Sequence, residues 1–296
     1  MKETNERRLA VITGCDSGIG AALCRLYIDA GYDVIAGCFG ALPEKAYRFT
    51  PLPLDLRSEY SITEFASAAA ALCESGERIS VLVHNAGTVA AGPVECVPLE
   101  ALRDVFEVNF FGAYSLTQKL VSTLIRDRGG IAIVGSLAGR IALPLFSPYA
   151  SSKFALEGFA DSLRREMRPF GVRVVLFEPA AVATPIWDSS WQRIRDTCLP
   201  AIGPRYRAVF EKIAGRFIAG GNAGMSADKA ARQIFRRISR KRPRARYLIS
   251  KTVFVNKLET LLPDAVMDRL IALAFGTERL ADTREEEGLV RPENTK

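Results

Sequence analysis

Tyr149 and Lys153 stand four residues apart in Tyr149-Ala-Ser-Ser-Lys153, and Ser136 lies upstream at the end of an apolar run. On one helix that spacing sets a phenol and an ammonium on the same face. A free tyrosine has a pKa of about 10, so lowering it by ~3 units takes about 4 kcal/mol of differential stabilisation. One cation at ~4 Å across an effective dielectric of ~20 supplies about that much. The three side chains thus describe a proton-transfer device in which Ser136 could hold a substrate oxygen against the phenol. Tyrosines and lysines also meet at helical intervals by chance, so the pair takes its meaning from the elements around it.

The apolar, β-branched run at 9–13 reads as a buried strand. Gly14-Cys15-Asp16-Ser17-Gly18-Ile19-Gly20 follows, and then a helical pattern over 21–30 that stops at Gly31. Strand, glycine turn and helix in that order aim backbone N–H groups and the positive end of a helix dipole at one point, where a pyrophosphate can sit. The glycine spacing is GxxxGxG, not GxGxxG, and a bare tight turn would need only one or two glycines. Further strands are predicted at 32–36, 52–55, 79–83, 131–134, 172–177 and 246–249, with helices at 58–75 and 99–127 and one carrying Tyr149 and Lys153. Such alternation predicts an α/β fold: one doubly wound parallel sheet covered on both faces by helices, with ligands beyond the strand C-termini. A single domain over 1–276 is expected, with a lid at about 185–225, a C-terminal helical extension and a flexible charged tail over 277–296.

Thr13-Gly14-Cys15-Asp16-Ser17-Gly18-Ile19-Gly20, Asn85-Ala86-Gly87, Asn109, Ser136 and Tyr149-x-x-x-Lys153, in this order and at these distances, resemble the short-chain dehydrogenase/reductase family. The resemblance covers about residues 8 to 185. Within the family, the glycine turn, Ala36-Gly37-Cys38 and the stretch at 152–158 look most like the branch holding 17β-hydroxysteroid, retinol and 3-hydroxybutyrate dehydrogenases. It implies a Rossmann-like fold and an oxidoreductase that interconverts an alcohol and a carbonyl with NAD or NADP.

The resemblance also implies roles. Asn109, Ser136, Tyr149 and Lys153 would be catalytic, with Tyr149 the base, Ser136 on the reacting oxygen, Lys153 on the phenol and the ribose, and Asn109 on a water leading from Lys153 to solvent. Gly14, Asp16, Ser17, Gly18, Ile19, Gly20 and Cys38 would line the dinucleotide. Asp55 and the Leu56 backbone would take the adenine, Asn85, Ala86 and Gly87 its ribose, and Pro179, Val182 and Thr184 the nicotinamide carboxamide. Ala180 replaces the family's usual glycine, which puts that turn's backbone contact in question. Read without the resemblance, Asp55 is equally a turn-capping aspartate and Asn109 a buried structural amide. His84, the only histidine, is read as structural.

The region after the second strand, Cys38-Phe39-Gly40, carries neither the acid expected of an NAD site nor the arginine of an NADP site. NAD is favoured because a 2′-phosphate lacks a sequence-local cation; Arg48, or a basic residue folded back from elsewhere, would reverse the choice. Trp187, Trp191, Tyr206, Phe210 and Phe217 in the lid region predict a bulky hydrophobic substrate, steroid-like or retinoid-like. The same aromatics could instead pack the lid onto the sheet. Two other functions remain open on sequence: a carbonyl reductase for quinones or lipid intermediates, and a non-catalytic dinucleotide sensor.

At 296 residues and 48% hydrophobic content the chain can bury one sizeable core. The six cysteines show no metal-ligand spacing, so reduced core thiols and no metal are expected. The charged N-terminus and the lack of a long apolar run predict a cytoplasmic protein. The net charge of +7 is concentrated at 236–246, read as a solvated helix end without the interleaved aromatics of a nucleic-acid binder. The apolar stretch at 253–275, divided at Pro263 and Asp264, is read as a core or subunit contact in preference to a membrane-surface helix. A homodimer or homotetramer is expected from the family resemblance.

Overall fold

The computed structural model describes residues 7–74 and 76–277, so the N-terminal charges at 1–6 and the tail beyond residue 277 lie outside the described residues. Nine strands are described: β1 Arg7–Thr13, β2 Asp33–Cys38, β3 Phe49–Pro53, β4 Glu77–His84, β5 Gly130–Val134, β6 Arg173–Pro179, β7 Val182–Ala183, β8 Met225–Ser226 and β9 Arg246–Ile249. The helices are α1 Gly18–Asp29, α2 Glu59–Glu74, α3 Leu99–Phe106, α4 Gly112–Asp127, α5 Ser147–Met167, α6 Ile186–Thr197, α7 Pro204–Asn222, α8 Ala227–Ile238, α9 Val253–Glu259 and α10 Asp264–Phe275. Seven strands form one sheet in the order β3-β2-β1-β4-β5-β6-β9, every pair parallel. The order reverses between β1 and β4, and a crevice opens there at the strand C-termini.

Alternation along β1 builds both faces. Leu9 and Val11 join the core beneath α2, α4 and α5, while Ala10 and Ile12 join the core beneath α1 and α8. Both layers are dry: Leu82, Leu116, Ile131 and Phe177 are fully buried, each such side chain contributing about 1.5–3 kcal/mol on leaving water. The sheet is therefore doubly wound, as the alternating pattern predicts.

Two elements depart most from their expected bounds. β3 begins at Phe49, earlier than the expected 52–55, because its ladder with β2 runs from Val34 opposite Phe49 to Cys38 opposite Pro53; it is an edge strand, bonded to β2 alone. On such an edge Pro51 and Pro53 can turn their missing donors outward. The helix expected over 99–127 is interrupted by a π-helical turn at Glu107–Phe111, which carries the buried Asn109. Among the described residues no helix is long and apolar enough to cross a membrane. The six cysteines are free, and no cluster among the described residues could hold a metal.

The basic segment is partly anchored. Arg237 stacks 5.0 Å over Tyr247, and Arg246 reaches Glu157 at 2.9 Å and Asp161 at 3.0 Å. In the C-terminal extension, Met267 and Ile271 face the crevice and Phe275 packs on the lid, whereas Phe254, Leu261 and Leu273 are exposed.

Candidate active site

The crevice has a volume of about 990 Å3. Its floor at one end is the glycine turn. Gly14 and Gly18 adopt positive φ, at 69° and 57°, conformations that cost an L side chain strain. A Cβ on Gly20 would lie 2.0 Å from the Gly14 carbonyl oxygen, so this glycine packs the turn from behind and does not face the crevice. Asn85 fastens the turn, its Nδ2 donating to the carbonyls of Thr13 at 3.0 Å and Gly14 at 2.9 Å. Thr13 Oγ1 in turn accepts from the N–H groups of Asn85 and Ala86, both at 3.1 Å. Ser17 leaves the N-terminus of α1 without a side-chain cap, so its backbone donors are open to an anion. Close backbone approach, an uncapped helix start and a long crevice all fit a dinucleotide.

Asp16 reaches away from the turn to the loop after β2, where Oδ1 accepts from Gly40 N–H at 2.7 Å and Oδ2 from Phe39 N–H at 3.2 Å. Tertiary structure thus delivers an acid to a loop whose own sequence has none. Cys38 turns inward: its side chain is buried, and burial pushes the thiol up to about 11. Arg48 precedes β3 beside Gly31, at the opposite, N-terminal end of the strands from the loop after β2, and is not the basic residue that the sequence left open. Arg57 is the cation that folds back, 4.7 Å from the Phe39 ring centre. It also binds both carboxylate oxygens of Asp55, at 2.9 and 3.0 Å, and Asp104 at 3.2 Å. Asp55 and Leu56 line the crevice, and the Arg57 guanidinium holds the Asp55 carboxyl below its ordinary range.

At the other end, β5 delivers Ser136 and the first turns of α5 deliver Tyr149 and Lys153 to one wall. Ser136 and Tyr149 face the crevice together, and the Ser136 hydroxyl is near enough to act on the phenol's acidity. Lys153 is buried, and its Nζ donates to the Val134 carbonyl at 3.3 Å and lies 5.7 Å from the Tyr149 ring centre. Burial lowers its pKa to about 8. The phenol is not depressed in this structure. Burial raises its pKa, and the neighbouring Ser136 hydroxyl opposes the rise. The cation is itself desolvated and engaged by a carbonyl, which is why the simple pair arithmetic does not carry over.

Asn109 sits behind this wall. Its Oδ1 accepts from Thr88 N–H at 2.8 Å, and its Nδ2 donates to the Thr88 carbonyl at 3.0 Å and to Ser152 Oγ at 2.9 Å. Ser152 Oγ donates onward to the Tyr149 carbonyl at 2.7 Å. The amide therefore ties the loop after β4 to the helix that carries the phenol. Sequence reasoning missed Ser152 and Thr88; a serine three residues after Tyr149, on its helix face, was the available signal. His84 Nε2 lies 2.8 Å from Thr117 Oγ1, and burial lowers its pKa to about 4, so it is a neutral packed imidazole.

Ala86 and Gly87 line the crevice with Pro179, Val182 and Thr184, and Thr184 folds over the turn, within 2.9 Å of a Cβ placed on Gly18. Ala180 needs no positive φ, so the missing glycine imposes no strain. Val182 pairs with Met225, and its carbonyl accepts from the Trp187 indole at 2.6 Å. The lid aromatics divide. Trp187 and Phe217 face the crevice beside Ile186, Leu143 and Met267, whereas Trp191 stacks on Phe210 within the lid core. Arg193 crosses from α6 to Thr88 Oγ1 at 2.7 Å and to Asp104 at 3.3 Å.

The family model for short chain dehydrogenases matches residues 8–195. A NADPH-dependent 3-dehydrocapnine reductase of Ornithobacterium rhinotracheale is 32% identical, the match covering 89% of this chain and 95% of that protein. Retinol dehydrogenase 8 of Bos taurus is 32% identical, over 80% of this chain and 79% of its own. A solved short-chain dehydrogenase/reductase from Burkholderia phymatum, in complex with NAD, aligns with a TM-score of 0.69 at 21% identity, over 86% of this chain and 93% of its own. Proteins of this kind carry NAD or NADP.

Proposed function

This chain belongs to the short-chain dehydrogenase/reductase family and is an NAD(P)-dependent oxidoreductase of alcohols and carbonyls, and we propose that it acts through Tyr149 on a bulky hydrophobic substrate with NAD. The observation that carries this reading is the meeting of Ser136, Tyr149 and Lys153 at the end of a crevice that begins at the glycine turn.

Gly14, Ser17, Gly18 and Ile19 would hold the pyrophosphate, Asp55 and Leu56 the adenine, and Val182 and Thr184 the carboxamide. A bound nicotinamide supplies the acceptor or donor of a hydride. Ser136 Oγ and the Tyr149 hydroxyl grip the substrate oxygen between them, so the carbon beside it is fixed in the crevice. In carbonyl reduction Tyr149 gives its proton to that oxygen as hydride reaches the carbon; in alcohol oxidation the phenolate takes the proton back. Lys153 stands behind the phenol as the cation that would offset its negative charge. Asn109 and Ser152 hold the Tyr149 backbone in register with the loop after β4.

The size of the crevice and its Trp187, Phe217, Ile186 and Met267 walls support a bulky apolar substrate over a small polar acid. We assign the protein to the cytoplasm, where its six thiols stay reduced. A homodimer or homotetramer would cover the exposed Phe111 of the π-helical turn, Tyr114 of α4 and Phe154 of α5.

Reduced-nicotinamide absorbance with a panel of steroid, retinoid, aliphatic and hydroxy-acid alcohols and their ketones tests the reading. Tyr149→Phe is expected to keep dinucleotide binding and lose nearly all turnover. Full turnover in that variant, or preference for a small hydroxy acid over every large apolar substrate, would overturn it.

A further inference from the structure

The loop after β2 is the place where the two nicotinamide dinucleotides differ for this fold, because it flanks the 2′ position of the adenosine ribose. Phe39 and Gly40 offer two successive backbone N–H groups there, and both point at the Asp16 carboxylate, at 3.2 and 2.7 Å. Successive N–H groups converging on one point form an anion-binding concavity. Here the anion belongs to the protein. Asp16 is exposed and lines the same crevice as Phe39 and Gly40, so its charge faces whatever ribose substituent lies in that corner.

Arg57 is the cation that could favour a 2′-phosphate at this corner, and it is already engaged. Asp55 binds it through both oxygens and Asp104 through one. Asp55 and Asp104 therefore hold the guanidinium, and Asp16 lines the same crevice as all three.

We propose that Asp16 selects NAD over NADP by filling the Phe39–Gly40 concavity with its own carboxylate, accepting a ribose hydroxyl and repelling a 2′-phosphate. The proposal rests on the dinucleotide reading above and names the residue that decides between its two cofactors. The selecting acid lies in the glycine turn, 24 positions before Gly40, and reaches the loop only through the fold.

The test is a binding measurement needing no substrate. Dissociation constants for NADH and NADPH are read from quenching of tryptophan fluorescence in the wild type, Asp16→Asn and Asp16→Ser, with circular dichroism to confirm folding. Adenosine 2′-monophosphate and 5′-monophosphate are compared by thermal shift. A 2′-phosphate carries about −1.5 to −2 charge, so the wild type should bind NADH about 50-fold or more tighter than NADPH. Asp16→Ser frees both N–H groups and should tighten NADPH about tenfold or more while NADH, losing its ribose-hydroxyl acceptor, weakens about tenfold; Asp16→Asn should shift the ratio the same way by less. Adenosine 2′-monophosphate should stabilise only the variants. A wild type that binds NADPH as well as NADH, or variants that weaken both dinucleotides in parallel, as loss of a mere loop cap would, overturns the proposal. A wild type that binds neither overturns the dinucleotide reading and this proposal with it.

Discussion

Three glycines of this chain differ in what a single methyl group would meet, and that difference predicts an order of effects. Gly158 lies on the exposed side of α5 with nothing within 4 Å of an added Cβ. Gly158→Ala should therefore stabilise the protein by about 0.5–1 kcal/mol, through the entropy of the unfolded chain. Gly18 holds φ at 57°, and its Cβ would touch Thr184 Cγ2 at 2.9 Å. A side chain can give way, so Gly18→Ala should cost about 1–2 kcal/mol, mostly the left-handed penalty. Gly20 is different: its Cβ would fall 2.0 Å from the Gly14 carbonyl oxygen, against 3.4 Å or more for ordinary contact. Backbone meets backbone, and the turn must open by more than an ångström. A displacement of ~1 Å typically costs ~100-fold where geometry is critical, so Gly20→Ala should weaken NADH binding by about two orders of magnitude and lower stability by roughly 2–3 kcal/mol. Urea denaturation and NADH titration on the three variants give both numbers. Equal NADH affinity in Gly20→Ala and the wild type would refute the assignment of this turn as the pyrophosphate cradle. A stability order other than Gly158→Ala, wild type, Gly18→Ala, Gly20→Ala would refute the packing argument.

Asn109→Leu should leave the Thr88 N–H and carbonyl and the Ser152 hydroxyl short of partners, costing about 2–4 kcal/mol in denaturant unfolding; an unchanged midpoint would show that the amide network contributes nothing. Glu157 titrates at about 7, raised chiefly by burial and further by the neighbouring Glu178, while Arg246 pulls the other way. A raised carboxyl favours the fold while protonated, so its contribution is full below the unfolded pKa of about 4.5 and is lost as pH rises through 7. Melting temperature should fall from pH 6 to 8 in the wild type, and Glu157→Gln should flatten that fall; the same slope in both would exclude Glu157 as its source.

The glycine turn, the Tyr149 and Lys153 spacing and the alternation of strands were legible in the chain because each is a local rule: positive φ, one helix face, period two against period 3.6. Local rules predicted seven strands in one parallel sheet, while their order came from the fold, and the residues quoted from the sequence line one crevice apart from Gly20, Cys38 and Asn109, which support it from behind. Long-range contacts decided the rest. The early start of β3 depended on its register against β2, which no window of its own sequence reveals. The acidity of the phenol depended on burial of both Tyr149 and Lys153, so the pair's spacing gave the partner and the fold gave the sign. Asp16 meets Gly40, Arg57 meets Phe39 and Asn109 meets Ser152 across 24, 18 and 43 positions of chain. Sequence determines which side chains are available for chemistry, but desolvation and pairing act over ångströms in space, and only the tertiary structure sets those.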